Sequence, residues 1–299
     1  MPAPVRVARY LIVNGDDFGL SAQVNAGILH AHQQGILTNT SLMVTAPAWE
    51  EAVELARSTQ RLGVGLHVTL VQGRAALSRQ HLRTIIDSEG NFTHDPTWAG
   101  LRYYFSQQAR EEIRAECRAQ IERFLETGLP LSHIDGHLNI HMHPVVMDAL
   151  LALAQEYHIP AMRLTRENLT TSLMLDPHHA LRKRWESFVF TSLARTTEKK
   201  LWRACIPYPD HLFGLHQSGA VDESYLLGLL PRLQAGVTEL YCHPSFLPCP
   251  EVERWTPTYQ RDVELAALTS PTVRAAAAEE NIRFVNYRDL PSLREEAGD

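Results

Sequence analysis

The sequence predicts an α/β fold built around a parallel sheet. Short apolar runs of strand length alternate with longer segments of helical periodicity along most of the 299 residues, and this alternation is typical of βαβ units. Polar residues suited to catalysis follow several of the apolar runs, at the end of the sheet where parallel α/β folds place their functional groups. About six strands fit either a closed barrel or an open doubly wound sheet.

The composition indicates an ordinary globular protein and excludes some functional classes. Hydrophobic residues make up 44% of the chain and charged residues 21%, so no disorder is expected. The 28 basic and 34 acidic side chains give a net charge of −6, which argues against a nucleic-acid partner because such proteins usually carry a basic excess. Since the chain shows no internal repeat or low-complexity segment, we expect a single domain over residues 1–299.

The cysteine pattern and the N-terminal segment favour a cytoplasmic location. The four cysteines are widely spaced and form no Cys-x-x-Cys pair, so they predict neither a thiolate zinc site nor a disulfide framework. The N-terminal segment lacks the apolar core of a signal peptide. No run reaches the ~18 apolar residues of a transmembrane helix.

The first half of the chain contains clear element signals. Ser21 is suited to cap a helix that runs to about Gln34, and Gly35 is suited to end it. The other predicted elements are strands over 10–14, 40–45 and 62–70 and helices over 49–58 and 110–127. Between the strand over 62–70 and the helix over 110–127, residues 71–108 contain several glycines and a proline that interrupt regular structure, so we expect an irregular insertion there.

The second half continues the alternation with one interruption. A strand ends in the segment SHIDGH, and a helix follows Pro144. Further strands are predicted over Ile159–Leu164, Val237–Cys242 and Ile282–Asn286. Residues 167–215 break the rhythm, and we expect a second irregular insertion there.

Asp16 and Asp17 directly follow the first predicted strand. Adjacent residues on an extended chain point in opposite directions, but a turn could aim both carboxylates into one site. One carboxylate could then bind a metal ion while the other accepts a proton. A role in the turn or in capping the next helix is the alternative, because aspartate favours both positions.

Histidines supply the strongest signal of chemistry. His67 lies in an apolar strand, where a hydrogen-bonded core residue is the alternative interpretation. Five polar side chains suited to metal binding or proton transfer fall within eleven residues of the segment HIDGHLNIHMHP: His133, Asp135, His137, His141 and His143. Burying so many polar groups without a purpose would cost free energy. On a helix, His137 and His141 would share a face; a solvated histidine-rich loop is the alternative.

His243 ends the strand before Pro244 and could be only a turn residue. Its position nevertheless matches those of the other candidates, since all of them lie where strand ends meet in an α/β fold. Two histidines and one carboxylate form a hydrolytic site of the zinc type, with open positions for water.

These motifs carry a family resemblance. NGDDFG, GLH, HIDGHLNIHMHP and YCHPSF, in this order from Tyr10 to about Asp289, resemble the YdjC/ChbG-like carbohydrate deacetylases. The resemblance implies a distorted (β/α) barrel related to the polysaccharide deacetylases. It also implies hydrolysis of the acetamide of an N-acetylglucosamine unit with the help of one divalent metal ion, for which zinc is favoured and magnesium is the alternative.

The resemblance implies a role for each motif residue. Asp17, His67 and His137 match the metal ligands of the family, Asp16 matches the general base and His243 the general acid. His141, and with it Arg163, is expected to contact the substrate or to support the metal ligands. Gly15 departs from the alanine that is usual in the first motif, but this leaves the metal ligands intact.

A narrower resemblance concerns the substrate. Segments such as GVGLHVTLVQGR and LPLSHIDGHLNIHMHPVV are similar to the hopanoid-biosynthesis-associated branch (HpnK), which implies a lipid-linked N-acetylglucosaminyl substrate. Residues 178–204 carry seven Lys and Arg against two Glu, and Trp185 and Phe188 fall near one helical face. A basic amphipathic helix can lie on an anionic membrane, so we expect peripheral contact at the inner membrane surface; a helix packed on the barrel is the alternative.

The expected activity is therefore release of acetate from an N-acetylated amino sugar. A chitooligosaccharide deacetylase, a different metallohydrolase and a non-catalytic sugar-binding protein are the alternatives. The sequence leaves the acceptor of the sugar, the native metal and the oligomeric state open.

Overall fold

A parallel sheet of seven strands forms the centre of this computed structural model, which describes residues 8–253 and 256–297. The strands are β1 (Arg9–Phe18), β2 (Asn39–Leu42), β3 (Gly63–Val68), β4 (Leu131–Gly136), β5 (His211–Phe213), β6 (Gly236–Cys242) and β7 (Ile282–Phe284). The first seven and last two residues of the predicted domain, together with Arg254 and Trp255, lie outside the described residues, and the one-domain organisation stays a prediction.

Helices fill most connections between the strands. They are α1 (Ala22–Gln34), α2 (Trp49–Arg57), α3 (Pro96–Phe105), α4 (Gln107–Glu126), α5 (Pro144–Ala154), α6 (Leu169–Leu175), α7 (Ala180–Arg203), α8 (Glu223–Leu229), α9 (Pro250–Glu253), α10 (Arg261–Thr269), α11 (Pro271–Glu279) and α12 (Leu290–Ala297). Short 3₁₀ turns cover His137–Met142, Leu230–Arg232 and Tyr287–Asp289. None of these described helices is long and apolar enough to span a membrane.

Local signals explain where the predicted helices begin. The Ser21 side chain accepts a hydrogen bond from the backbone of Val24 and caps α1, as predicted. Helix α4 buries the predicted stripe of Ile113, Cys117, Ile121 and Phe124 against the sheet-side core. The start of α1 is therefore explained by its capping residue, and the buried face of α4 by its apolar periodicity.

The order of the strands is β4-β3-β2-β1-β6-β5, with every described pair parallel. Strand β7 pairs with the first residues of β1, from Arg9 to Leu11. Strand β2 pairs with β1 further along, from Asn14 to Phe18. The sheet curls into a half-barrel, so the predicted α/β class with a distorted barrel is confirmed. The carboxyl ends of the strands consequently meet on one side of the molecule.

The gap between the edge strands β4 and β5 is bridged by an extended segment. The predicted strand over Ile159–Leu164 is wrong as a regular strand, because only an isolated bridge joins Met162 to Ile134 of β4. A second isolated bridge joins Glu167 to Leu212 of β5. Pro160 lacks the N–H group that a ladder needs, which limits regular pairing here.

The first predicted insertion, 71–108, is fastened to the protein by α4. Three polar residues of α4 lie one turn apart on its buried face, at Glu112, Glu116 and Gln120. Their side chains accept backbone N–H groups, Glu112 from residues 83–85, Glu116 from residues 76–77 and Gln120 from Thr69. The insertion also contains α3, whose start at Asp95 and Pro96 follows ordinary capping rules.

The second predicted insertion, 167–215, contains α6, α7 and the short strand β5. Helix α7 is 24 residues long, and few of its side chains are fully buried. Its Lys183 is one of them and bonds to Asp176. Most of α7 therefore presents side chains to the surface or to the rim of the sheet.

Candidate metal centre

The predicted functional residues converge at the carboxyl end of the sheet. Asp16 and Asp17 lie near the end of β1, and His67 lies near the end of β3. His137 follows β4 directly, and His243 follows β6. All five residues are buried, so the alternative of a solvated histidine-rich loop does not describe His137.

A bulge in β1 positions the two adjacent carboxylates. The register of β1 with β2 shifts between Gly15 and Phe18, and Asp17 between them has a positive φ of 69°. Such an interruption re-aims side chains that would otherwise alternate strictly. Both Asp16 and Asp17 consequently line the same cavity, although they remain within the strand rather than in a turn as predicted.

Three donor groups lie close enough to share one metal ion. His137 Nδ1 is 3.0 Å from Asp17 Oδ1, and His67 Nε2 is 3.6 Å from the same oxygen. The ligand atoms of Asp17, His67 and His137 all lie within 4.8 Å of one another. A buried Asp/His cluster of this kind could hold a metal ion, because two imidazoles and a carboxylate with open positions are a hydrolytic donor set.

The surroundings of His67 fit this use. Its Nδ1 atom is bonded to Asp135 Oδ1 at 2.7 Å, so the other ring nitrogen faces Asp17. Histidine ligands of metals are usually held in this way by a carboxylate. Asp135, Asp16 and His67 also form a second group of close donors, but the guanidinium of Arg163 already lies between the two carboxylates of that group.

Arg163 is the centre of a buried ion-pair network. Its Nη1 and Nη2 atoms each lie 2.8 Å from an oxygen of Asp16. The same guanidinium is 2.9 Å from Asp135 of β4 and 2.8 Å from Glu239 of β6. Arg163 is fully buried and holds both oxygens of the Asp16 carboxylate.

The charges of this network determine the protonation of the ligands. Burial alone would raise the pKa of Asp17, but His137 and Arg261 hold it well below its usual range. Burial would lower the pKa of His67, yet the Asp135 carboxylate raises it to about 9. Asp17 is therefore ionised near pH 7, whereas His67 holds a proton that a metal ion would have to displace in order to bind.

His141 lies beside the cluster but outside the donor group. The predicted face shared with His137 is wrong, because Leu138 and Asn139 adopt left-handed conformations and the segment is a distorted 3₁₀ turn. His141 Nε2 lies 3.4 Å from Thr165 Oγ1. Burial lowers its pKa to about 3, so this ring is neutral near pH 7, and its Nδ1 atom has no hydrogen-bond partner among the described residues.

His243 lines the same cavity as Asp16, Asp17 and His137 and lies next to α10. Its ring centroid is 4.9 Å from that of Tyr259, and its Nδ1 atom is 4.0 Å from Glu264 Oε2. Burial lowers the pKa of His243 to about 4 and raises that of Glu264 to about 7. His243 lines the cavity, and the fully buried Glu264 lies next to it.

Helix α10 also supplies a residue that the sequence interpretation missed. Arg261 Nη2 lies 3.0 Å from Asp17 Oδ2, on the carboxylate oxygen that does not face the histidines. Arg261 and Glu264 lie on the helix face that also buries Leu265 and Leu268. Charged residues on the apolar face of an amphipathic helix were the available signal.

A cavity of about 180 Å³ opens onto the cluster. Its lining combines the carboxylates with residues after β4, from α7, after β5, and from the end of β6 and the chain after it: Asp16, Asp17, His137, Leu138, Asn139, Glu186, Phe190, Leu215, Ser218, Tyr241, His243, Thr256 and Tyr259. This volume is below the ~300 Å³ of typical small-molecule pockets. The cavity is therefore suited to the reacting end of a larger ligand.

Trp185 and Phe188, the predicted lipid contacts, lie on the outer side of α7. Trp185 is 67% exposed and Phe188 66% exposed, and their rings stack at 5.9 Å. The alternative of a helix face packed on the barrel therefore does not describe these two residues. Lys183, one of the flanking basic residues, is buried and bonded to Asp176.

Comparison with known proteins agrees with the fold and the motifs. A family model described as YdjC-like protein matches residues 10–279. A carbohydrate deacetylase of Geobacillus stearothermophilus is 31% identical over 287 residues, covering 95% of this chain and 99% of the relative. A carbohydrate deacetylase of Vibrio parahaemolyticus is 30% identical over 292 residues, covering 96% and 99%.

A solved structure shares the architecture. The crystal structure of an Enterococcus faecalis protein, provisionally described as a cellobiose-phosphate cleavage protein, superposes with a TM-score of 0.73 at 28% identity. The superposition covers 95% of this chain and 99% of the other. The two chains therefore have the same fold over nearly their whole lengths.

Proposed function

Because this chain belongs to the YdjC-like protein family, we propose that it is a metal-dependent deacetylase that hydrolyses the acetamide of an N-acetylglucosamine unit. Relatives that match almost the whole chain are named carbohydrate deacetylases, which supports a sugar amide as the substrate. The products are acetate and a free amino sugar.

The convergence of Asp17, His67 and His137 beside Asp16 carries this proposal. The three donors share one buried cluster, and the neighbouring Asp16 carboxylate lines the same cavity. A divalent cation bound there would lower the pKa of a nucleophilic water and stabilise charge on the acetamide oxygen. Zinc is favoured for two imidazoles and one carboxylate, and magnesium is the alternative.

Asp16 is assigned as the group that accepts the proton of the attacking water. A carboxylate offers about four lone-pair positions, and Asp16 uses three of them, for two nitrogens of Arg163 and for Asn14 Nδ2. The remaining position is available for the proton. Arg163 keeps the carboxylate oriented throughout, as a general base requires.

His243 is assigned as the group that donates a proton to the departing amine. Such a proton is needed because an amide anion is a poor leaving group. Burial keeps the ring neutral near pH 7 in the free protein, so it acquires its proton during turnover, after Asp16 has removed one from water. Glu264 Oε2 lies 4.0 Å from Nδ1 of the ring, and in its ionised form it would favour the cationic imidazole.

We further propose that the sugar is attached to a lipid, as the resemblance to the hopanoid-associated branch implies. The exposed, stacked pair Trp185 and Phe188 supports this, since α7 also contributes Glu186 and Phe190 to the cavity. Exposed aromatic side chains bind the boundary between lipid headgroups and acyl chains. The exposed Arg182 and Arg184 would attract anionic headgroups.

A second exposed apolar surface supports peripheral membrane contact. Trp98 is 54% exposed and Phe105 77% exposed on α3. Helix α3 lies at the carboxyl end of the sheet, because the carbonyl of Gly100 contacts His143, directly after the 3₁₀ turn that contains His137. Exposed aromatic surfaces of this kind mark interaction sites.

A substrate panel tests the proposed function. Acetate release would be measured by mass spectrometry on N-acetylglucosamine, N-acetylated chitobiose and a lipid carrying an N-acetylglucosaminyl group. Release from the lipid alone, or fastest from it, supports the full proposal. Preference for chitobiose would make the protein a chitooligosaccharide deacetylase. Binding without acetate release from any of the three would exclude deacetylation of these sugars.

A further inference from the structure

Glu186 is an acidic side chain in the cavity that the proposed chemistry does not use. It lies on α7 and lines the same cavity as Asp16 and Asp17. Its side chain is 27% exposed, so it borders the opening rather than the floor. A carboxylate at this position is available to a ligand that enters the cavity.

A buried histidine holds this carboxylate. His216 Nδ1 lies 3.3 Å from Glu186 Oε2, and the His216 side chain is fully buried. The His216 Nε2 atom has no hydrogen-bond partner within the described part of the chain. A ring that donates its Nδ1–H group to Glu186 leaves Nε2 as the atom without a partner, which matches both observations.

The backbone that carries His216 is itself fixed. The N–H groups of Leu215 and His216 donate to Glu167 Oε2, at 2.7 and 3.1 Å. Glu167 is buried and also accepts the hydroxyl of Ser172. This chain of contacts connects the carboxylate at the cavity to the edge of the sheet at β5, which positions it rigidly.

A surface ion pair does not account for this arrangement. Arg182 Nε lies 3.7 Å from Glu186 Oε1, but the Arg182 side chain is 58% exposed. Exposed pairs at this spacing contribute little free energy. The Arg182 contact also does not explain why the buried His216 ring points towards Glu186 on α7.

We propose that Glu186 accepts hydrogen bonds from ring hydroxyl groups of the sugar, with His216 as a positioning residue. This inference rests on the proposed function for the identity of the ligand. Sugars combine hydroxyl donors with apolar C–H faces, and the same cavity offers the rings of Phe190, Tyr241 and Tyr259. A charged acceptor forms stronger hydrogen bonds with hydroxyls than a neutral one does.

Glu186→Ala tests the subsite, and Glu198→Ala is its matched control. Glu198 lies on the same helix and pairs with Arg166, but it does not line the catalytic cavity. Binding of N-acetylglucosamine would be measured by calorimetry, and turnover by acetate release. We expect Glu186→Ala to weaken binding and to lower kcat/KM roughly 10- to 100-fold, as loss of a hydrogen bond to a charged group does. Glu198→Ala should match the wild type.

Monodeoxy sugars identify the contact. For the sugar that lacks the hydroxyl bound by Glu186, the wild type and Glu186→Ala should bind within about twofold of each other, because the interaction is already absent. His216→Asn should raise KM for the intact sugar as Glu186→Ala does, and the double variant should show no additional loss. Equal effects on every deoxy sugar, or wild-type binding by Glu186→Ala, would overturn the inference.

The outcomes separate this inference from the proposed function. If the wild type binds the sugar without releasing acetate, the deacetylase proposal fails while the effect of Glu186→Ala on binding still decides the subsite. If the wild type binds none of these sugars, both are overturned. If His216→Asn does not fold, the Glu186→Ala and Glu198→Ala pair decides alone, since both residues are only half-buried.

Discussion

The Nδ1 atom of His67 lies 2.7 Å from Oδ1 of Asp135, and both side chains are buried. This contact turns Nε2 of the imidazole towards Asp17 Oδ1. Asp135 also contacts Arg163, so its carboxylate cannot rotate freely. The orientation of one proposed ligand is therefore set by a residue that does not itself belong to the donor group.

Asp135→Asn should weaken metal binding by about 10- to 100-fold, the usual effect of losing a carboxylate behind a histidine ligand. The amide removes the negative charge that orients and polarises His67. Affinity would be measured by competition with a chelating dye. Asp148→Asn, on the exposed surface of α5, serves as control. Equal affinities of Asp135→Asn and the wild type would show that Asp135 is only a structural partner of Arg163.

His67→Ala and His137→Ala should each lose most bound metal and nearly all activity, because each variant retains only two of the three proposed metal ligands. Metal content would be determined by mass spectrometry of the purified proteins. His81→Ala, in an exposed position, should retain full occupancy. A chelator should inactivate the wild type, and an added divalent ion should restore it. Full occupancy of both buried variants would remove the ligand assignment.

Asp16→Asn and Asp17→Asn should behave differently although the residues are adjacent. Asp16→Asn should retain metal and lose activity by roughly 10²–10⁴, the usual scale for general acid–base catalysis. Asp17→Asn should lose metal as well, since its Oδ1 atom is the oxygen nearest both histidines. Identical metal contents of the two variants would mean that the assigned roles are exchanged or shared.

Replacing Trp185 and Phe188 together by serine should reduce co-sedimentation with vesicles that contain phosphatidylglycerol. It should also raise KM for a lipid-linked substrate while sparing a soluble one, because these exposed rings lie outside the cavity. Binding of the wild type to the vesicles should weaken with added salt, as attraction to anionic headgroups does.

Trp202→Ser is the matched control for the paired variant. Trp202 is 75% exposed near the other end of α7, so it tests whether any exposed aromatic residue has the same effect. Vesicle binding that falls equally in both variants would indicate unspecific adhesion. Unchanged kinetics of the paired variant on both substrates would exclude a lipid contact at this face.

Glu112→Gln should destabilise the protein by about 1–3 kcal/mol near pH 7, because a neutral amide replaces a carboxylate that accepts several hydrogen bonds. Burial alone would raise the pKa of Glu112, but donors from Arg83 and Thr84 lower it below 4.5. The stabilisation is thus fully present above pH 4.5 and is lost as the pH falls through the lowered value.

Urea unfolding at several pH values checks this prediction. The difference in free energy of unfolding between the wild type and Glu112→Gln should shrink as the pH falls below 4.5. Glu111→Gln, the exposed neighbour on α4, should show no such difference. A constant difference across the pH range would mean that packing, rather than charge, makes Glu112 stabilising.

The sequence was sufficient to predict that the central side chains lie together at the carboxyl end of the sheet. Asp16, His67 and His243 each interrupt or end an apolar run, and parallel strands bring such ends together. The predicted general base and ligand nevertheless lie inside β1 rather than in a turn. A bulge at Asp17, rather than a turn, directs both carboxylates into the same cavity. No local sequence pattern specifies this bulge.

The residues that the sequence did not reveal come mostly from helices. Arg261 and Glu264 reach the site from α10, and Glu186 reaches it from α7. Where a helix docks against a sheet depends on packing over the whole chain, so spacing alone cannot assign these contacts. The strand predicted over Ile159–Leu164 is wrong for a similar reason, since its pairing also depends on the packing of the whole chain. In the structure, only two isolated bridges connect this region to the edge strands β4 and β5.

The network around Arg163 also has a consequence for folding. Arg163 is 147 residues from Asp16 and 76 residues from Glu239 along the chain. Contacts of such long sequence separation form only after large loops have closed, at a considerable entropic cost. The three carboxylates would repel one another if the sheet brought them together without the guanidinium between them, so we expect closure of the curled sheet without Arg163 to be costly. We therefore expect the ion-pair network behind the proposed site and the curled half-barrel to form together, late in folding.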